Sequence, residues 1–239
     1  MTEALALYRN EKFIKNKFRI IKSTKQKKYT KEEGRIPVQP LRSLEDIRRA
    51  KNYFLNRPER YHGQNVRDYT IFIFGINLAR RCGDLLHLRF HNVLDTNKNI
   101  KNKFSIREQK TGKSAILIIT PVLKEALELY LKTFDDINLS NPLFPSRNKD
   151  TYGNHKPMTV QNFYKKMRKL QEELEISEPL GTHSMRKTFA YMALKNNPQN
   201  SNVMAAISKA LNHSSETVTS RYIGTFQEEI DDLFMSNQL

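Results

Sequence analysis

The fold class this 239-residue sequence predicts is mainly α-helical with a small three-stranded antiparallel sheet, an α+β arrangement. Three observations carry that prediction. Several stretches repeat apolar residues at intervals of three and four, and three of these stretches follow a Ser or Thr able to cap a helix. Between residues 89 and 120, short β-prone runs are separated by Asn- and Gly-containing turns. The length is enough to bury one sizeable core and favours one large domain, or one domain with an appendage.

Between Arg9 and Arg35 stand eleven basic residues, with few apolar ones after Ile21, so residues 1–40 read as a basic arm, part helical and otherwise flexible. The main domain then occupies residues 41–239. Ser43 caps a first helix whose apolar stripe is Leu44, Ile47, Ala50 and Phe54, with Asp46 in the first turn where a negative charge meets free backbone N–H groups. A second helix carries Val66, Tyr69, Phe72, Ile73 and Ile76 and leads to Arg81. Residues 89–96, 103–109 and 114–120 read as three strands, the last two joined by Lys110-Thr111-Gly112-Lys113. Thr120 caps a helix with Pro121 at its first position, where the missing N–H costs nothing. Residues 140–157, with Pro142, Pro145 and Gly153, read as a mobile loop. Thr159 then caps a helix with Val160, Phe163, Met167, Leu170 and Leu174 on one face and Lys165, Lys166, Arg168 and Lys169 on the other. A helix beginning at Thr182 would hold His183 and Arg186 on one face, with Phe189, Ala190 and Leu194 on its core side. Residues 226–239 suit a terminal amphipathic helix, starting near residue 225.

The formal net charge of +16 argues for a polyanionic partner, because basic side chains that neutralise phosphates release condensed counterions. Charge alone does not choose among DNA, RNA and an anionic membrane. No apolar run reaches the 18 to 20 residues of a membrane span and the start lacks a secretory signal, so an intracellular, cytoplasmic location is expected. Cys82 is the only cysteine, which excludes an internal disulfide and a thiolate metal cluster and leaves packing beside Arg81 as its role.

Two motifs are decoys. Thr111-Gly112-Lys113-Ser114 resembles the end of a phosphate-binding loop, yet Arg107 stands where the first glycine belongs and the setting is a hairpin. His87 and His91 are spaced for a helical metal pair but lack a nearby glutamate and a third ligand. No metal or cofactor is expected.

The informative set is Arg81, Lys110, His183, Arg186, His213 and Tyr222, in that order, with Tyr222 nine residues after His213. A phosphodiester repels nucleophiles, so an enzyme acting on it without a metal needs fixed cations around its oxygens, and arginine supplies a planar, permanently charged fork. Singly, each residue has an ordinary structural explanation: an ion pair for Arg81 with Asp84, a turn lysine for Lys110, one helix face for His183 and Arg186, and one of ten tyrosines for Tyr222.

Taken together and in order, the six resemble the catalytic set of the tyrosine recombinases, or phage integrase family, over roughly residues 40 to 230. The resemblance implies that Arg81 and Arg186 clamp the scissile phosphate, that Tyr222 attacks it, that His183 accepts the tyrosine proton and that His213 hydrogen-bonds the phosphate. It further implies that Lys110 protonates the leaving 5′-oxygen and that the 3′-phosphotyrosyl link formed is rejoined without ATP or divalent metal. The expected function is site-specific recombination of double-stranded DNA, with a type IB-like topoisomerase and a catalytically silent DNA-binding regulator as alternatives. Lys113, Lys165, Lys166 and Lys169 are candidate DNA contacts.

Two positions depart from the family. Glycine is common two residues before the first arginine, where Ala79 stands, and before the second histidine, where Asn212 stands; both replacements are small. Only about 40 residues precede Ser43, too few for the family's usual core-binding domain, so the resemblance is to short members, among which DNA inversion switches are known, or to a fragment. Self-assembly on DNA, an accessory DNA-binding protein and a prokaryotic, nucleoid-associated setting are the further expectations.

Overall fold

The structure, a computed structural model, describes residues 37–60, 62–224 and 234–235. The basic arm before residue 37 and the tail from residue 225, apart from 234–235, lie outside the described residues.

Helix α1 (Leu44–Asn56) begins as its sequence requires: the Ser43 hydroxyl accepts from the Asp46 N–H. It buries Ile47, Ala50, Tyr53 and Phe54. Helix α2 (Gln64–Asn77) is buried over most of its length, with Ile71, Phe72, Ile73 and Phe74 fully covered by α1, by α5 (Pro121–Leu131) and by α7 (Thr182–Lys195). Such all-round burial marks a central helix. Helix α6 (Val160–Glu173), capped by Thr159, buries Phe163, Met167 and Leu170, and Phe163 stacks on Phe54 at 6.0 Å.

Strands β1 (Lys103–Arg107) and β2 (Ser114–Ile118) form an antiparallel hairpin in register Arg107↔Ser114. The third strand expected at 89–96 is not there; those residues form the short helix α4 (Phe90–Val93), flanked by isolated bridges at Arg89 and Leu94. The reason is legible afterwards. The buried residues Phe90, Val93 and Leu94 lie three and four apart rather than alternating, and the Asn92 side chain accepts from the Arg89 N–H and turns the chain. Instead, the stretch expected as a mobile loop holds a second hairpin, β3 (Pro145–Lys149) with β4 (His155–Pro157). The described sheet content is therefore two two-stranded sheets. Asp150 builds the second turn by accepting from the N–H groups of Tyr152 and Asn154, with Gly153 left-handed at φ 82°. Asp95 accepts from Asn97 and Asn99 in the same way.

Among the described residues, two apolar cores result. The larger joins α1, α2, α5, α6 and the inner face of the first hairpin. The smaller contains Ala79, Ala190, Ile207, Leu211 and Ile223, and so gathers α7, α8 (Val203–Leu211) and α9 (Glu216–Ile223). Helix α7 contributes Met185 to the first core and Ala190 to the second. Residues on its remaining face are thereby fixed relative to both.

Candidate active site

The α2 helix ends at Leu78, and Ala79 turns the chain in the left-handed region at φ 56°. Arg80 and Arg81 leave this turn side by side, and both meet one carboxylate: Arg80 Nη1 lies 2.6 Å from Glu108 Oε1 and Arg81 Nη1 lies 2.9 Å from Glu108 Oε2. Glu108 also accepts from Thr111 Oγ1 at 2.8 Å and Asn212 Nδ2 at 3.3 Å. Burial pushes its carboxyl up, but the bonds from Thr111, Arg81, Asn212 and Arg80 outweigh burial and hold it at about 2. Sequence reasoning passed over Glu108. The signal was present in the alternation of β1, where Phe104, Ile106 and Glu108 occupy successive inward positions and put a carboxylate on a core face.

Just beyond, helix α3 (Cys82–Leu86) buries Asp84, whose Oδ1 accepts from the Gln109 N–H at 2.9 Å. The carboxylate three residues after Arg81 therefore holds the Lys110 turn, and Arg81 pairs with Glu108 instead. Cys82 is packed inside, and burial pushes its thiol up to about 12. His87 Nδ1 bonds the Gly83 carbonyl. Among the described residues no group of three or more His, Cys, Asp or Glu side chains could hold a metal ion.

Helix α7 brings His183 and Arg186 to one face. Arg186 is 2 % exposed; its Nη2 donates to the Leu211 carbonyl, while its buried Nη1 has no hydrogen-bond partner among the described residues. A buried guanidinium nitrogen without an acceptor is costly, and it marks a place where a ligand oxygen is expected. Helix α8 ends at Asn212, left-handed at φ 55°, which swings His213 into the site. Thr219 Oγ1 lies 3.1 Å from His213 Nδ1, so α9 fixes the ring.

That same α9, started by Ser215 and stopped by Gly224 at φ 87°, carries Tyr222 inward. The Tyr222 hydroxyl is 3.4 Å from His183 Nδ1, its ring meets His213 edge-on at 5.0 Å, and the buried Lys187 places Nζ 5.1 Å from its ring centre. Lys187 was also passed over; its position directly after Arg186 gives no sign of burial by itself. Burial raises the Tyr222 pKa, against the pull of the Arg186 and Arg81 guanidiniums. Burial lowers His183 and His213, and the same two arginines lower them further. Both imidazoles are thus biased toward the neutral form that accepts a proton.

Lys110, at the hairpin tip, lines an open cleft of about 210 Å³ with Arg81, Thr182 and His183. All six expected residues therefore converge on one site. The four expected DNA contacts divide. Lys113 lies beside the site, with Nζ 3.1 Å from Asn212 Oδ1. Lys165, Lys166 and Lys169 line a separate and larger cleft of about 740 Å³ with Arg57, Arg67 and Arg147. There Lys166 Nζ is committed at 2.7 Å to the fully buried Asp68, which also pairs with Arg57 and Arg67.

With this geometry in hand, comparison with known proteins is specific. Residues 50–229 match the phage integrase family. A protein named probable integrase/recombinase YoeC from Bacillus subtilis (strain 168) is 36% identical over 187 residues, which cover 78% of this chain and 90% of that protein. The tyrosine recombinase XerD of Halalkalibacterium halodurans is 27% identical over 128 residues, 52% of this chain and 40% of that one. Among solved structures, XerA recombinase superposes with a TM-score of 0.56 at 19% identity, covering 85% of this chain and 67% of that chain. A lambda integrase dimer bound to a core site gives 0.54 at 14% identity, covering 79% of this chain and 49% of that one. At these identities the structural matches speak for the fold.

Proposed function

We propose, given that the chain belongs to the phage integrase family and is a site-specific tyrosine recombinase, that Tyr222 is its nucleophile and that the five groups around it run the phosphoryl transfer. The observation that carries this reading is the Tyr222 hydroxyl lying 3.4 Å from His183 beside the unmated Nη1 of Arg186. A scissile phosphate seated there gives Arg186 its missing acceptor and receives a second guanidinium from Arg81. Tyr222 Oη then bonds phosphorus as its proton passes to His183. The bond from phosphorus to the 5′-oxygen breaks, and Lys110 protonates that oxygen. His213 hydrogen-bonds a non-bridging oxygen. The 3′-phosphotyrosyl link retains the energy of the broken ester, so reversal by a 5′-hydroxyl rejoins the strand.

The topoisomerase and regulator alternatives are not favoured, since the relatives with the greatest sequence similarity reported above carry recombinase names. For the duplex flanking the cut, the cleft along α6 offers Lys165 and Lys169, and Lys113 extends the basic surface from the active site. Lys166, bound to Asp68, supports that surface more through its charge than through direct contact. Solved relatives include a lambda integrase dimer on a core site and a tetramer on a Holliday junction, which supports assembly of this chain on DNA. An accessory DNA-binding protein, or the residues before Ile36, would supply further affinity. No helix among the described residues is long and apolar enough to cross a membrane; action at a bacterial nucleoid is part of this proposal.

The test incubates the protein and Tyr222→Phe, in EDTA, with nicked suicide duplexes taken from DNA flanking the gene, and looks for a denaturant-stable protein–DNA adduct. An adduct from wild type alone is expected. Equal adducts from both proteins would remove Tyr222 as nucleophile, and tight binding without any adduct would move the chain to the regulator reading.

A further inference from the structure

Strand pairing does not by itself put Lys110 over the site. The β1–β2 hairpin ends its regular register at Arg107↔Ser114, and Ile116 and Ile118 on its outer face are exposed. Its tip is held from outside. Gln109 N–H is bound by Asp84, and Glu108 by Arg80 and Arg81. A further hold comes from a residue about a hundred positions away. Asn212 uses both ends of its amide: Oδ1 accepts from Lys113 Nζ at 3.1 Å, and Nδ2 donates to Glu108 Oε2 at 3.3 Å. These contacts fall on the two sides of the turn that presents Lys110, since Glu108 N–H also bonds the Lys113 carbonyl at 2.9 Å.

Asn212 has this reach because of its backbone. It ends α8 in the left-handed region, at φ 55° and ψ 40°, a conformation that asparagine tolerates better than most residues and that glycine adopts freely. A glycine there would close the helix equally well, but it would leave Lys113 and Glu108 without their amide partner. The side chain is therefore dispensable for the turn and available to the hairpin.

We propose that Asn212 is a positioning residue, a latch that docks the Lys110 hairpin against the His213 turn so that the general acid is in place before DNA arrives. This inference rests on the role of Lys110 proposed above. Glu108 pairs directly with both guanidiniums and the turn, whereas Asn212 reaches the turn through Lys113 and through the Glu108 oxygen that Arg81 shares. Losing two hydrogen bonds, one to the Glu108 carboxylate and one from the exposed Lys113 ammonium, shifts the docking equilibrium by on the order of tenfold.

The test measures single-turnover cleavage by wild type, Asn212→Gly and Lys110→Ala on two nicked suicide duplexes. One has the ordinary 5′-oxygen leaving group; the other has a 5′-bridging sulfur, which leaves as a thiolate and needs no proton because a thiol is far more acidic than an alcohol. Asn212→Gly is expected to cut the oxygen duplex roughly tenfold more slowly than wild type and the sulfur duplex at the wild-type rate, with gel-shift affinity unchanged. Lys110→Ala should show the same pattern with a larger loss. If Lys110→Ala is restored by sulfur while Asn212→Gly is slow on both duplexes, or fast on both, the latch is wrong and the Lys110 role stands. If sulfur fails to restore Lys110→Ala, the general-acid reading falls and the latch falls with it. Glycine fits φ 55° without strain, so Asn212→Gly is expected to fold.

Discussion

Adding a single methyl group at Gly75 tests how rigidly the fold holds the helix that carries His183 and Arg186. Gly75 lies in α2 where that helix crosses α7, and a Cβ built there would collide with Met185 Sδ and sit 2.8 Å from Met185 Cβ. The sulfur can rotate away, at the cost of disturbing a core in which Met185 is 1% exposed. The Cβ cannot, because the α7 backbone fixes it. Restoring an ordinary contact of 3.4 Å from 2.8 Å requires the helices to separate by about 0.6 Å. Overpacking of this kind costs about 1–3 kcal/mol, and the better helix propensity of alanine returns up to ~1 kcal/mol. A net loss of up to about 3 kcal/mol corresponds to a fall in Tm of up to roughly 12 °C for a domain of this size. Met185 lies between His183 and Arg186 in sequence, so the displacement carries both side chains away from Arg81; on the proposed mechanism, with 1 Å errors costing up to about a hundredfold, cleavage should slow on the order of tenfold. Thermal unfolding and single-turnover adduct formation on Gly75→Ala measure the two effects. The double variant Gly75→Ala with Met185→Ala separates them, since it removes the sulfur clash and keeps the Cβ clash. A Gly75→Ala protein as fast as wild type, or a double variant restored to the wild-type rate, would refute the argument that the backbone crossing sets the site.

The remaining predictions concern charge and shape at the site. Because burial and neighbouring cations depress His183 and His213, protonation of the folded protein lags behind that of the unfolded chain. The stability they confer by staying neutral is complete above about pH 6.5 and is lost as pH falls through and below that value. The acid limb of the second-order cleavage rate should accordingly have its midpoint below pH 6.5; a midpoint at or above it removes His183 as the acceptor. Arg186→Lys keeps the charge but cannot both bond the Leu211 carbonyl and fork onto a phosphate, so adduct formation should fall at least about a hundredfold while DNA affinity, read by gel shift, changes far less. Glu108→Gln should lower Tm at pH 7, because Arg80 and Arg81 lose their shared carboxylate. The depressed carboxyl stabilises the fold above its unfolded value of about 4.5 and loses that effect as pH falls toward 2, so the Tm gap between wild type and variant should narrow below pH 4.5; a gap independent of pH would show that shape rather than charge is at work.

Much of this could be read before any coordinates. Ser43 and Thr159 make the capping bonds that their positions suggest, and the six residues expected to act together lie near one another. What sequence periodicity misjudged was local. Phe90, Val93 and Leu94 were read as strand although their spacing is helical, and the loop at 140–157 hid a hairpin whose Asp150-to-Asn154 turn repeats the chemistry of Asp95 to Asn99. What it could not supply was pairing across distance. Glu108 and Asn212 are 104 positions apart, and no pattern within either segment announces their bond. The replacement of glycine by Ala79 and Asn212 seemed minor as a matter of size. The structure shows that backbone conformation is the relevant property, because both residues sit at positive φ, at the two turns that deliver Arg81 and His213.

The unmated Nη1 of Arg186 also bears on how long such a protein survives in a cell. Arg81 lies beside it, and burial and neighbouring cations hold both imidazoles toward the neutral form, so the site concentrates positive charge that Glu108 offsets only in part. If the proposed phosphate seats there, it binds the native chain and not the unfolded one, and mass action would tie the folded population to DNA occupancy. Copies bound at a target are then the most resistant to unfolding and to the proteolysis that follows it, and unbound copies the least. A short target duplex should accordingly slow digestion of the folded core in a concentration-dependent way.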